Sequence, residues 1–254
     1  MAQDTLLLPQ LVETVTIDGD LSEWKEGAFH DGLWDLHRLK HSSWYEANRN
    51  RLADHGESAS LTEDLQARYF LAWDSLYLYL GAEVWDNVND TAASKPGKRR
   101  WYYRDAIAFF IEAPGDTVAE TFGAGDHGFA FTADATRPAS AAWWRHGTPD
   151  TTFVEKPLPT VAVDYHFQFD SWGRSPADYV LEARIRMDAV LPVSDPEWEA
   201  PAIGHLYRLM IVHCDPDGGA YGGHLLIYGR NDSDASWTPL KLVGPTAPII
   251  RKDH

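Results

Sequence analysis

Three short acidic clusters could supply oxygen ligands to a cation. VTIDGDLSEW, residues 15–24, sets Asp18, Asp20 and Glu23 around one tight turn and follows them with Trp24. WDNVND (85–90) carries Asp86 and Asp90, and CDPDGG (214–219) carries Asp215 and Asp217 ahead of Gly218. Calcium takes about six to eight oxygen ligands and can staple loops together, so Asp18, Asp20, Asp215 and Asp217 are candidate calcium ligands. The alternative is structural, because short carboxylates also hydrogen-bond the backbone of their own turn. The D-x-D-G of the third cluster matches only the opening of an EF-hand loop, without the closing glutamate. His37 and His41 stand four apart, which suits either a metal or a solvated helix face, and no HExxH pattern accompanies them.

The second kind of chemistry is stacking. The chain has 11 Trp, 11 Tyr and 10 Phe, more aromatic residues than core filling requires. Trp101, Tyr102 and Tyr103 are consecutive in RRWYYRD, just before Asp105. Trp143 and Trp144 are adjacent in AAWWRH and so face opposite sides of a strand. Trp237 opens SWTPLKL near the end of the chain.

Charge narrows the partners. A formal net charge of −16 repels phosphate backbones, which argues against nucleic acid and leaves cations and neutral ligands such as sugars. Cys214 is the single cysteine, so neither an intrachain disulfide nor a cysteine zinc site can form. No apolar run is long enough to span a membrane. Met1-Ala2-Gln3-Asp4 reads as an initiator set before a processed N-terminus, which predicts a secreted or periplasmic protein. Nucleophile-elbow, phosphate-loop and dinucleotide motifs are absent. A glycosidase-type carboxylate pair has no fixed spacing, and Asp105, Asp164 and Glu182 are the strand carboxylates able to face a cleft.

These residues must be positioned by strands. Period-two alternation recurs at 66–73, 75–83, 106–112, 127–133, 140–146, 161–169, 179–187, 206–213, 223–229 and 238–243. Short strands punctuated by Gly, Asp, Asn and Pro predict an all-β antiparallel sandwich, built as one domain over 1–254. Between 29 and 65 the alternation lapses, and Leu33, Leu36 and Leu39 share a helical stripe. That predicts a short helical insertion packed on the sandwich.

The order of motifs carries a resemblance. VTIDGDLSEW, ARYFLAWDSLYLYLGAEVWDN, WYYRDAIAFFIEAPGD, DYVLEARIRMDAV, IGHLYRLMIVHCDPDGG and SWTPLKLVG follow one another along the chain. This series resembles the family 9 carbohydrate-binding modules and the wider DOMON-like β-sandwich superfamily. The resemblance implies a non-catalytic carbohydrate-binding protein of a polysaccharide-degrading system. It also implies structural calcium and aromatic stacking at Trp101, Tyr102 or Tyr103. The sugar clamp of the relatives departs here: a glutamate is replaced by Ala108, and an arginine and an asparagine by Ala130 and Thr132. Trp237 is the nearest counterpart of the second sandwiching tryptophan, and Trp143 and Trp144, walled by Trp34 and Trp44, could substitute for the clamp. Two other roles on the same scaffold stay open. One is a haem-binding redox module using Met187, Met210 or His213; the other is a carbohydrate-active lyase or hydrolase.

Overall fold

Strands with one bulky apolar side close on each other in pairs of sheets, and the alternation noted above does this here. The computed structural model describes residues 5–35, 38, 65–86, 101–112, 125–133, 142–147, 153–157, 163–170, 177–187, 201–215, 224–229 and 234–245. The larger sheet holds β1 (Leu6–Leu8), β5 (Ala106–Glu112), β6 (Asp126–Thr132), β7 (Ala142–Gly147), β8 (Phe153–Pro157), β11 (Leu206–Cys214), β12 (His224–Ile227) and β13 (Thr238–Leu242). Its order is β1-β13-β11-β5-β6-β7-β8, with β12 paired to β11. The smaller sheet holds β2 (Trp34–Asp35), β3 (Leu65–Trp73), β4 (Tyr77–Asp86), β9 (Val163–Phe169) and β10 (Tyr179–Arg186) in the order β2-β3-β4-β10-β9. Each strand expected from alternation is present. The short strands β1, β2 and β8 are additions, and β1 pairs β13 in parallel.

Between the sheets, Ile107, Phe109 and Ile111 of β5 and Phe129 and Phe131 of β6 meet Tyr69, Leu71 and Trp73 of β3, with Leu181 and Ile185 of β10 beside them. β12 and β13 share one flank of β11: β12 pairs Ile211–Cys214 and β13 pairs Leu206–Leu209. The break falls at Tyr228, whose φ of 62° is left-handed. A non-glycine residue holds that conformation at a cost of about 1–3 kcal/mol. Here the Tyr228 ring packs against Phe29 and edge-on against Trp34, at 6.4 and 5.4 Å between centroids, and so joins the two sheets at their margin.

Within the stretch expected to be a helical insertion, residues 29–35 are extended and Arg38 is helical. Phe29 and Leu71 exchange backbone hydrogen bonds of 2.8 and 3.0 Å, and Trp34 pairs with Ala67, so this stretch is extended along the edge of β3. Gly32, at φ +94°, stands just before the leucine stripe in a conformation no helix contains. Leu36, His37, Leu39, His41 and Trp44 lie outside the described residues. Arg38 stacks 3.6 Å over the Trp34 ring and pairs with Asp31, fixing the edge in place.

The outer side of the smaller sheet is covered by the chain's first segment. Val15, Leu21 and Trp24 are buried there against Phe70, Ala72, Tyr79 and Val180. The acidic corner is pinned by one side chain. Glu182 Oε2 accepts the backbone N–H groups of Asp18 and Gly19, both at 2.8 Å, and its Oε1 accepts the Trp24 indole N–H at 2.7 Å. Gly19 has φ +92°, and a Cβ there would lie 2.7 Å from the His166 ring, so both backbone and space demand glycine.

Candidate functional site

Three acidic motifs that are far apart in sequence converge at one end of the sandwich. Asp86 ends β4, Asp105 precedes β5, and Asp215 follows β11. One carboxylate oxygen from each lies within 4.8 Å of the others. The residues are only 2 %, 0 % and 4 % exposed, so the cluster is interior and not a solvated acidic patch. Two calcium ligands on opposite sides of an ion are about 4.8 Å apart, so the spacing fits a single divalent cation bound by hard oxygens. The backbone supports the same end: Asp178 Oδ2 accepts the Asp86 N–H at 2.9 Å, and the Asp105 carbonyl accepts the Ala133 N–H at 2.8 Å.

Of the four carboxylates singled out as calcium ligands, only Asp215 belongs to this cluster, and Asp217 lies outside the described residues. Asp18 and Asp20 are on the far sheet, in the corner. Asp18 Oδ1 accepts the Asp20 N–H at 3.0 Å, and Asp20 Oδ1 caps the next turn through the Ser22 N–H at 2.9 Å. That backbone bond is the main cause of the lowered Asp20 pKa. Asp86 lies in the second acidic cluster and Asp105 among the strand carboxylates, and no sequence spacing links them, because the two strand ends meet through topology.

A buried polar chain adjoins the cluster. His213, fully buried on β11, stands between two phenols, with Tyr69 Oη 2.7 Å from Nδ1 and Tyr179 Oη 3.1 Å from Nε2. A neutral imidazole offers one donor and one acceptor, so one tyrosine donates to it and the other accepts from it. Burial lowers the His213 pKa to about 3, which keeps the ring neutral. Burial first, and then the charges of Asp105 and Asp86, push the Tyr179 phenol well above its ordinary value.

Three of the aromatic candidates, Trp101, Tyr102 and Trp237, occupy the outer side of the larger sheet. Ile107, Phe109 and Ile111 point inward, so Ala106, Ala108 and Phe110 line the outside with Ala130, Met210, Val212 and Cys214. Trp237 packs on this floor, edge-on to Phe110 at 5.9 Å, and is 0 % exposed. Trp101 is 6 % exposed. Tyr102 is half-buried at the rim, edge-on to Trp101 at 5.4 Å and to His224 at 6.0 Å. Its backbone carbonyl lies 3.1 Å from His224 Nε2. Trp101, Tyr102 and Trp237 are therefore neighbours on one face, and Tyr102 keeps some access to solvent. Trp143 pairs with Ala130 and Trp144 with Phe129 along β7, while their side chains and that of Tyr103 lie outside the description.

Other candidates are not brought together. Met210 packs on the outer face and His213 points inward, while Met187 is eight residues along from Tyr179 and so about 26 Å away by strand rise. These three residues do not converge on a haem. Glu182 is taken up by the corner, and Asp164 pairs with Arg184 on the same outer surface, 2.6 Å from Nη2. Among the described residues no helix is long and apolar enough to cross a membrane.

The fold and site together are a two-sheet β-sandwich with an aromatic group on one outer face and a buried carboxylate cluster at one end. Over residues 39–244 the chain matches the family described as carbohydrate family 9 binding domain-like, and it belongs to that family. Among solved structures it is similar to a family 9 carbohydrate-binding module from Caldicellulosiruptor kristjanssonii in complex with cellotriose. There the TM-score is 0.57 at 13% identity, covering 99% of this chain and 100% of that one. A structure of a family 9 module from that organism in complex with glucose has the same TM-score of 0.57 and 13% identity over 96% and 99% of the two chains. At such identity the likeness is one of fold. No curated protein matches the chain.

Proposed function

We propose that this chain is a non-catalytic carbohydrate-binding module, stacking a sugar at the Trp101–Tyr102 rim and stabilised by calcium at Asp86, Asp105 and Asp215. Family membership over residues 39–244 carries the binding role. Tyr102 supports the location, because it is half-buried and braced edge-on by Trp101 and His224. A pyranose laid against such a ring buries its apolar C–H face, while its hydroxyls need polar partners. Of the replaced clamp positions, Ala108 and Ala130 offer none and Thr132 only a buried hydroxyl, so most hydrogen bonding comes from other residues. Secretion or a periplasmic location, and work alongside polysaccharide breakdown, belong to the same reading.

Intrinsic tryptophan emission, titrated with glucose and with cellotriose, tests the binding role. A saturable change is expected for the native chain, weakened at least about tenfold in Tyr102→Ala through loss of the stacking contact. A flat response to both sugars counts against the reading.

The calcium part rests on three buried carboxylates that repel one another when ionised, a repulsion a divalent cation offsets. At a calcium concentration near 100 Kd the added stability is about 2.7 kcal/mol, or roughly 5–10 °C in Tm for a chain of this size. Thermal unfolding with calcium and with chelator should differ by that amount. The difference should vanish in Asp105→Asn and persist in Asp18→Asn. An unchanged Tm on chelation removes calcium from the proposal.

A further inference from the structure

We infer that a second binding site, for a neutral polyhydroxylated ligand such as a sugar, lies in the groove between residues 14–17 and the start of β9. The groove is open to solvent and holds about 610 Å³ on the outer side of the smaller sheet, away from Tyr102. That volume is in the range of small-ligand sites, roughly 300–1,000 Å³.

Its floor is a fixed guanidinium. Arg184 donates through Nε to Asp164 Oδ2 at 2.8 Å and through Nη1 to the Val15 carbonyl at 3.3 Å, and its Cζ lies 4.6 Å over the Tyr77 ring. Held on three sides, the group keeps its orientation without further loss of freedom when a ligand arrives. Asp164 is exposed and uses Oδ2 for the arginine, and its Oδ1 is bonded to no described residue. Thr14 and Thr16 are exposed on the opposite wall, and their hydroxyls are likewise unbonded among the described residues.

Those groups determine the class of ligand. The Arg184–Asp164 pair cancels its own charge, so the groove has no net pull on an ion. What it offers is a carboxylate acceptor, a guanidinium edge and two hydroxyls that both donate and accept, the alternation that neighbouring sugar hydroxyls satisfy. The half-buried Ile17 adds apolar surface for ring C–H groups. None of this uses the Tyr102 rim, so the two sites stand or fall separately.

Amide chemical shifts of the full chain, followed while glucose or cellotriose is added, test the site. Saturable shifts at Thr14–Ile17 and Val163–Tyr165 are expected. Asp164→Ala and Thr16→Val, both at exposed positions, should each weaken binding there by roughly five- to tenfold and leave shifts near Tyr102 and His224 unchanged. Shifts confined to Tyr102 and His224 overturn the groove site and leave the rim intact. Groove shifts that both variants leave unweakened overturn it as well. Silence at both places overturns both sites for these sugars.

Discussion

Glu182→Ala is expected to cost about 3–5 kcal/mol of unfolding free energy, because one carboxylate closes the corner that begins the fold. Its removal leaves the N–H groups of Asp18 and Gly19 and the Trp24 indole without an acceptor, where they now lie at 2.8, 2.8 and 2.7 Å. Each orphaned buried donor costs about 1–3 kcal/mol, with less than additive sums because the corner can open to water. Glu182→Gln keeps one oxygen but turns an NH₂ toward a donor, and should lose about half as much. Urea unfolding gives the magnitude. A red shift of Trp24 emission in the alanine variant would locate the damage at the corner. If Glu182→Ala unfolds within about 1 kcal/mol of the native chain, the corner is held by its apolar residues and the carboxylate is incidental.

Acidification from pH 7 to pH 4 is expected to remove about 3 kcal/mol of stability through His213 alone. The folded pKa, lowered to about 3 by burial, lies below the value of 6.5 for an unperturbed histidine. The unfolded chain therefore binds a proton that the folded chain refuses. The contribution is complete above about pH 6.5 and is lost as pH falls toward 3. Glu182 works in the opposite sense: burial outweighs its three hydrogen bonds and raises its carboxyl pKa, so its part declines as pH rises through the raised value. The His213 effect is isolated by comparing the native chain with His213→Leu. The variant should be weaker by about 2–4 kcal/mol at pH 7, since the Tyr69 and Tyr179 hydroxyls lose their shared partner. Its stability should fall less steeply between pH 6.5 and 4. Parallel pH profiles would mean that His213 titrates normally in the folded chain.

Much of the architecture was legible because a strand with one side indoors advertises itself every second residue. β5 occupies the stretch the alternation marked, Ala106–Glu112. β1 and β2, of three and two residues, are too short to show a period and exist only by pairing with neighbours. At 29–35 the chain runs extended along the free edge of β3, with Gly32 at φ +94°, while Leu36 and Leu39 of the leucine stripe lie outside the described residues. The site was less legible than the fold. Asp215 was singled out from D-x-D-G, yet its neighbours in the cluster come from β4 and from the entry to β5, and sheet order alone brings them together. The identity of Trp237 was plain, but its complete burial was not, because burial depends on the small floor residues Ala108 and Ala130 on separate strands. The groove beside Asp164 takes residues from two motifs, VTIDGDLSEW and DYVLEARIRMDAV, but no motif alone shows it, because it forms where an irregular segment crosses a sheet.

The corner also sets an order of events in folding. Gly19 and Glu182 are separated by 163 residues, and the bond from Arg184 to Val15 spans 169. Contacts of such long range make folding slow, since a large loop must close before any of them forms. On a ribosome adding about 5–20 residues per second, the corner waits roughly 8–30 s for Glu182 and the rest of β10. During that interval Val15, Leu21 and Trp24 can meet only the β3–β4 part of their native surface, Phe70, Ala72 and Tyr79, and a chaperone or a rival hydrophobic chain can reach what is left uncovered. The first part of the polypeptide to be made is thus among the last to find its place.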